Sequence, residues 1–106
     1  SRGAIVLAEI DLIAYEWATL CFIEVKTRSS DYFAAPEANV DLRKQRQITR
    51  AARVYRRVFG LTNAAYRYDV VSVVYEAPQG PRVELLRHFW TEDKFRWRER
   101  AEFICD

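Results

Sequence analysis

Residues 4–14, AIVLAEIDLIA, are aliphatic except at Glu9 and Asp11. A β-branched run of this kind predicts a strand buried over most of its surface. Residues 19–26, TLCFIEVK, repeat the style. The stretch between them, Tyr15-Glu16-Trp17-Ala18, reads as a short connection, so the two strands pair as an antiparallel hairpin. Residues 27–40 hold Ser29-Ser30-Asp31 and Pro36 and read as a loop. From 41 to 59 the period lengthens: Ile48, Ala51, Ala52, Tyr55, Val58 and Phe59 recur on one helical face, with Asp41 as N-cap and Gly60 as the stop. Residues 67–76, RYDVVSVVYE, predict a third strand, Pro78-Gln79-Gly80-Pro81 a turn, and residues 82–90 a fourth strand. From Thr91 onward, charges alternate with Phe95, Trp97 and Phe103, a pattern that fits a short helix or a loose tail.

The predicted order is β-β-α-β-β. A strand–helix–strand unit crosses over right-handedly, which makes the second and third strands parallel within a mixed sheet carrying at least one helix. The fold class is therefore α/β.

A chain of 106 residues, half of them hydrophobic, supports one core and one domain over 1–106, with 91–106 as its tail. No run of about 18 apolar residues occurs, which argues against a membrane partner. Cys21 and Cys105 stand far apart without metal-knuckle spacing, so a cytoplasmic location is expected. A single histidine, His88, excludes a histidine-rich metal site.

The net charge of +2 conceals an uneven distribution. Residues 1–41 carry three basic and seven acidic side chains, residues 42–58 seven basic and none acidic, and residues 59–106 seven against eight. The positive charge thus belongs to the helix. On a helical wheel Arg43, Arg46, Arg50, Arg53 and Arg57 share a narrow arc opposite the apolar face, either a rail for phosphates or a solvated outer surface. Lys44 falls on the apolar side, where it can reach toward the hairpin or extend its ammonium to the core's edge.

The chemistry concentrates on the hairpin. Alternation puts Glu9 and Asp11 on one side of the first strand, and Glu24 and Lys26 on one side of the second. With the turn centred between Trp17 and Ala18, Asp11 faces Glu24 and Glu9 faces Lys26, with opposed Cβ atoms about 4.5–5.5 Å apart. Two carboxylates that close repel unless a cation lies between them, and a hard divalent ion such as Mg²⁺ suits oxygen ligands. A cross-strand salt-bridge patch explains the same spacing equally well. Asp69 in the third strand most simply pairs with Arg67, two residues away on the same face. Trp17, Trp90 and Trp97 serve either base stacking or packing.

AEIDLIA at 8–14 followed by FIEVKTR at 22–28 resembles the YraN-like family of uncharacterised bacterial proteins, whose pattern is GEIDLIA and then FVEVKxR. Lys44, Ile48 and Ala52, and then RYDVV at 67–71, match in order, and the likeness extends to roughly His88. That family is placed in the PD-(D/E)XK nuclease superfamily and is similar to archaeal Holliday-junction resolvases. The resemblance implies a restriction-endonuclease-like sheet with the basic helix packed on it, and a missing N-terminal family helix whose glutamate often completes the site. It implies that Asp11 and Glu24 bind Mg²⁺ or Mn²⁺ with the main-chain carbonyl of Val25, that Lys26 is the motif lysine, and that Glu9 and Lys44 are auxiliary. The expected activity is metal-dependent endonucleolytic hydrolysis of DNA phosphodiester bonds, on branched or structured DNA, by a possible homodimer. The alternative is a nucleic-acid-binding module of the same fold with weak or no catalysis.

Overall fold

The computed structural model describes residues 10–29, 40–76 and 78–95. Four strands form one sheet in the order β1-β2-β3-β4: β1 is Leu12–Glu16, β2 Thr19–Ser29, β3 Tyr66–Glu76 and β4 Gly80–Trp90. β1 and β2 are antiparallel, β2 and β3 parallel, and β3 and β4 antiparallel. The helix α1, Leu42–Val58, lies in the crossover between β2 and β3. This is the mixed α/β sheet with one packed helix that the pattern predicts, consistent with a restriction-endonuclease-like fold.

The hairpin register is the expected one, with Leu12 opposite Ile23 and Glu16 opposite Thr19. Its extent differs. Tyr15 and Glu16, read as connection, pair with Leu20 and Thr19, and only Trp17-Ala18 turn. Residues 4–9 of the predicted first strand lie outside the described residues. The expectation that this strand is buried is corrected: Leu12, Ile13, Ala14 and Tyr15 are exposed, because among the described residues β1 is the sheet's edge and has a neighbour on one side only. β2, between two strands, is buried at every residue from Leu20 to Glu24.

Trp17 has φ 56° and is 97% exposed. A tight turn between twisted strands favours positive φ at this place, where glycine has no Cβ to collide with the backbone. Trp17→Gly will therefore raise stability by roughly 0.5–1 kcal/mol, the relief of left-handed strain less the added chain entropy of glycine. Urea denaturation measures this, and a loss of stability would show that the indole has an internal role.

The helix is bounded as its ends predict. Asp41 caps it by accepting from the Lys44 amide at 2.9 Å. At the other end Leu61 N–H donates to the Arg56 carbonyl and Gly60 N–H to the Arg57 carbonyl, a pair of bonds that requires the left-handed Gly60 (φ 66°). Ile48 and Ala52 sit in the core with Leu20, Phe22, Val40, Tyr68, Val70, Trp90 and Phe95. Val58 and Phe59, expected on the buried face, are exposed: the last turn runs past the core, and the Phe59 ring packs on Tyr55 with centroids 4.7 Å apart.

Several polar groups on the buried side bond to one another. Thr49 donates to the Gln45 carbonyl and accepts from the Trp90 indole N–H at 2.9 Å, which makes Trp90 a core residue. Glu92, in the short segment after β4, is buried; it accepts from Arg56 at 2.7 Å and from the Tyr68 hydroxyl at 2.6 Å, and pairs with Arg53 at 3.4 Å. Burial and the bond to Glu92 push the Tyr68 phenol well above its usual range. The tail makes a helical turn at residues 93–95; Trp97, Phe103 and Cys105 lie outside the described residues.

The sheet face away from the helix carries a second ionic group. Asp69 is fully buried and holds Arg67 through both carboxylate oxygens, at 3.0 and 2.9 Å. It also accepts the His88 amide at 3.0 Å, where the β3–β4 register breaks and His88 adopts φ 53°. Asp69 is therefore the structural residue that its spacing suggests, and it additionally fixes a bulge. Glu16 joins this face through Arg67 and Arg87, whose hydrogen bonds hold its carboxyl down at about 2. Cys21 lies here too, away from the acid pair; burial pushes its thiol up, which leaves it a poor nucleophile.

Candidate metal and phosphate site

Along β2 the residues facing α1 change character in order: Leu20 and Phe22 belong to the core, and Glu24, Lys26 and Arg28 follow on the same side. The apolar half anchors the strand under the helix, and the polar half extends the same face beyond the core.

Glu24 is only 4% exposed. Asp11, one step before β1, continues the hairpin register to stand opposite Glu24, and its Oδ2 accepts the Val25 amide at 2.8 Å. That bond fixes the Asp11 carboxylate beside its neighbour. Burial raises the Glu24 carboxyl above its usual value, and so do the charge of Asp11 and a hydrogen bond between the two acids; Lys44 and Lys26 act in the opposite direction. The Lys26 ammonium lies 3.9 Å from Oε1 of Glu24 and that of Lys44 3.8 Å from Oε2. Both distances exceed hydrogen-bond length, and Oε2, although buried, has no hydrogen-bond partner among the described residues.

A buried carboxylate oxygen without a partner, next to a second carboxylate, is a poor arrangement for stability and a suitable one for a hard cation. Among the described residues no group of three or more His, Cys, Asp or Glu converges, so these residues offer two carboxylates here. That number fits Mg²⁺, which is commonly held by one or two carboxylates, with waters and phosphate oxygens completing its shell.

The structure thus brings together Asp11, Glu24, Lys26 and Lys44. The Val25 main chain is present through its amide. Glu9 lies outside the described residues. The predicted rail lies only partly opposite the apolar face, since the buried side of α1 is Gln45, Ile48, Thr49, Ala52 and Arg56 and two of the five arginines border it. Arg43, Arg50 and Arg57 are exposed; Arg53 is engaged by Glu92, and the Arg46 guanidinium lies 6.0 Å from the Phe95 ring centre. Two further charged residues lie outside the set that the sequence singles out. Glu92 follows the last strand, where neither the strand nor the helix period applies, and its only sequence signal is Arg56 on the buried face of α1. Arg28 has a plainer signal, being two residues beyond Lys26.

The family model of uncharacterised protein family UPF0102 matches residues 2–73, a span that includes the acid pair, both lysines and the start of β3. The chain belongs to UPF0102. This is the YraN-like family that the EIDLIA and EVKTR motifs suggest. The UPF0102 chain is 44% identical over 79 residues to a UPF0102 protein of Solibacter usitatus, an alignment covering 74% of this chain and 58% of the relative. It is 40% identical over 87 residues to one of Desulforapulum autotrophicum, covering 82% and 71%, and 37% identical over 76 residues to one of Geobacter sulfurreducens, covering 72% and 59%. The chain therefore spans about three fifths of the length of the first and third of these relatives. Among the described residues no helix is long and apolar enough to cross a membrane.

Proposed function

We propose that this UPF0102 chain carries the centre of a metal-dependent endonuclease that hydrolyses DNA phosphodiester bonds, on branched or structured DNA. The observation that carries the reading is the buried Glu24, held against Asp11 and flanked by two ammonium groups that stop short of hydrogen bonding. Asp11 and Glu24 would hold Mg²⁺ or Mn²⁺ with the Val25 carbonyl, and Glu9 is a further candidate ligand. When bound, the ion supplies a more acidic water and stabilises negative charge at phosphorus.

Hydrolysis forms a bond from water oxygen to phosphorus and breaks the bond to the leaving sugar oxygen. One water proton goes to solvent and the leaving oxygen takes up another. Lys26, on the same face as Glu24, is placed to neutralise charge on the phosphoryl oxygens or to orient the water. Lys44 offers a second positive charge from the helix. Arg43, Arg46, Arg50, Arg53 and Arg57 would track more distant phosphates, and a homodimer would present two such centres to a branched substrate.

The second reading is a nucleic-acid-binding module of the same fold with weak catalysis. It is favoured by there being only two carboxylates in the described site. Calorimetric titration of Mn²⁺, run beside cleavage assays on linear, nicked and four-way-junction DNA, separates the two. In the nuclease, Asp11→Asn lowers both metal affinity and cleavage by about a hundredfold or more, since even outer-shell partners of a metal ligand account for 10–100-fold. Metal binding that depends on Asp11 without cleavage of any DNA favours the second reading. No metal binding by the wild type ends the nuclease reading and leaves the nucleic-acid-binding module.

A further inference from the structure

Arg28 occupies the helix-facing row of β2 next to Lys26, about 7 Å further along the strand. The β2–β3 ladder is regular from Leu20 to Ser29, so nothing turns Arg28 off this face. Its Nε and Nη1 are buried, and neither has a hydrogen-bond partner among the described residues. Guanidinium is a permanent cation with five donors in a rigid fork shaped for phosphate or carboxylate. Arg28 as a whole is half-buried, and enclosing part of a cation with no counter-charge among the described residues is unfavourable for the fold itself. The two buried arginines each have a carboxylate at hydrogen-bond distance, Arg56 that of Glu92 (its Nε alone lacks a partner among the described residues) and Arg67 those of Asp69 and Glu16. Arg28 has none among the described residues.

We infer that Arg28 is a phosphate-binding residue, holding a nucleic-acid phosphate beside the one that meets Lys26, Lys44 and the acid pair. The inference rests on the nuclease reading of that site and adds to it a direction, with the nucleic-acid strand running along β2 from Glu24 past Lys26 to Arg28. The row changes from anionic to cationic over these three positions, so a metal ion is favoured at one end and phosphate oxygens at the other. Nη2, which is not among the enclosed atoms, shares one edge with Nε and another with Nη1. Either edge of Arg28 can therefore grip a phosphate through two parallel N–H···O bonds, which the single ammonium of a lysine cannot do.

The test compares wild type, Arg28→Met and Arg28→Lys by urea denaturation, Mn²⁺ calorimetry and binding of a short fluorescent DNA oligonucleotide with Ca²⁺ over a range of salt. Arg28→Met is expected to be as stable as wild type or more so, to bind Mn²⁺ no more weakly, and to bind the oligonucleotide roughly tenfold more weakly. Loss of one phosphate contact lowers the steepness of log K against log salt by about 0.7 for single strands or 0.9 for duplex. Arg28→Lys should keep that steepness while recovering only part of the affinity. Destabilisation by Arg28→Met with an unchanged salt dependence would overturn the inference, since it assigns Arg28 a partner inside the fold. If the wild type binds Mn²⁺ but no oligonucleotide, the nucleic-acid reading fails. The phosphate assignment then stands only if inorganic phosphate binds wild type and not Arg28→Met, and falls otherwise.

Discussion

Glu24→Gln will remove divalent-ion binding, by about a hundredfold or more, while leaving the metal-free protein as stable as wild type or more stable. The amide keeps the shape of the carboxylate and loses the charge that burial and Asp11 oppose. The sign follows from proton linkage. Glu24 titrates higher in the folded than in the unfolded chain, so the folded state binds the proton more tightly. The resulting stability is fully present below the ordinary carboxylate value of 4.5 and is lost as pH rises through the raised folded value. Above that raised value the wild type carries the unfavourable charge; the variant has none, and its stability profile lacks that falling segment. Urea denaturation at several pH values, with and without Mn²⁺, reads this directly. Added Mn²⁺ should stabilise wild type and not the variant. A marked loss of stability in the metal-free variant would mean that the Glu24 charge holds the fold together, and the site would then be an ion-pair cluster.

Glu92→Ala is expected to have the opposite character, a loss of about 3–5 kcal/mol with no direct effect on the metal ligands. The substitution strands the buried Arg56 guanidinium and removes the acceptor of the Tyr68 hydroxyl, both deep against α1. Arg56 also lies 3.7 Å from the centre of the Tyr66 ring, so it cannot leave without uncovering that ring. Replacing the pair together, Arg56→Met with Glu92→Leu, should lose much less, because apolar side chains can occupy the space without leaving a charge unmatched. A loss below about 1 kcal/mol for Glu92→Ala would show that water reaches the cluster and screens it.

The two acids compared above occupy similar environments and have different consequences. Glu92 is buried and matched at hydrogen-bond distance by Arg56 and Tyr68. Glu24 is buried beside a second acid, Asp11; its Oε2 has no hydrogen-bond partner among the described residues, and its ammonium neighbours stand 3.8 and 3.9 Å away. Burial alone does not separate a structural acid from a chemical one; whether the fold fills its hydrogen bonds does.

The element order, the hairpin register, both ends of α1 and the grouping of Asp11 with Glu24 and Lys26 were legible in the amino-acid order. Each depends on local rules: alternation along strands, a 3.6-residue period, a capping aspartate, and a glycine where φ is positive. Tertiary structure decided the rest. It put β1 at the edge, so that an aliphatic strand is exposed; it carried Val58 and Phe59 past the core; and it brought Glu92 back onto Arg56 across 36 residues. It also set Lys44 over Glu24 and left Arg28 Nε and Nη1 without a partner among the described residues. Period and propensity describe which way a residue points within its own element. What it meets there depends on how distant elements pack, and this chain's metal-site and phosphate-binding candidates differ from its structural ion pairs only in that respect.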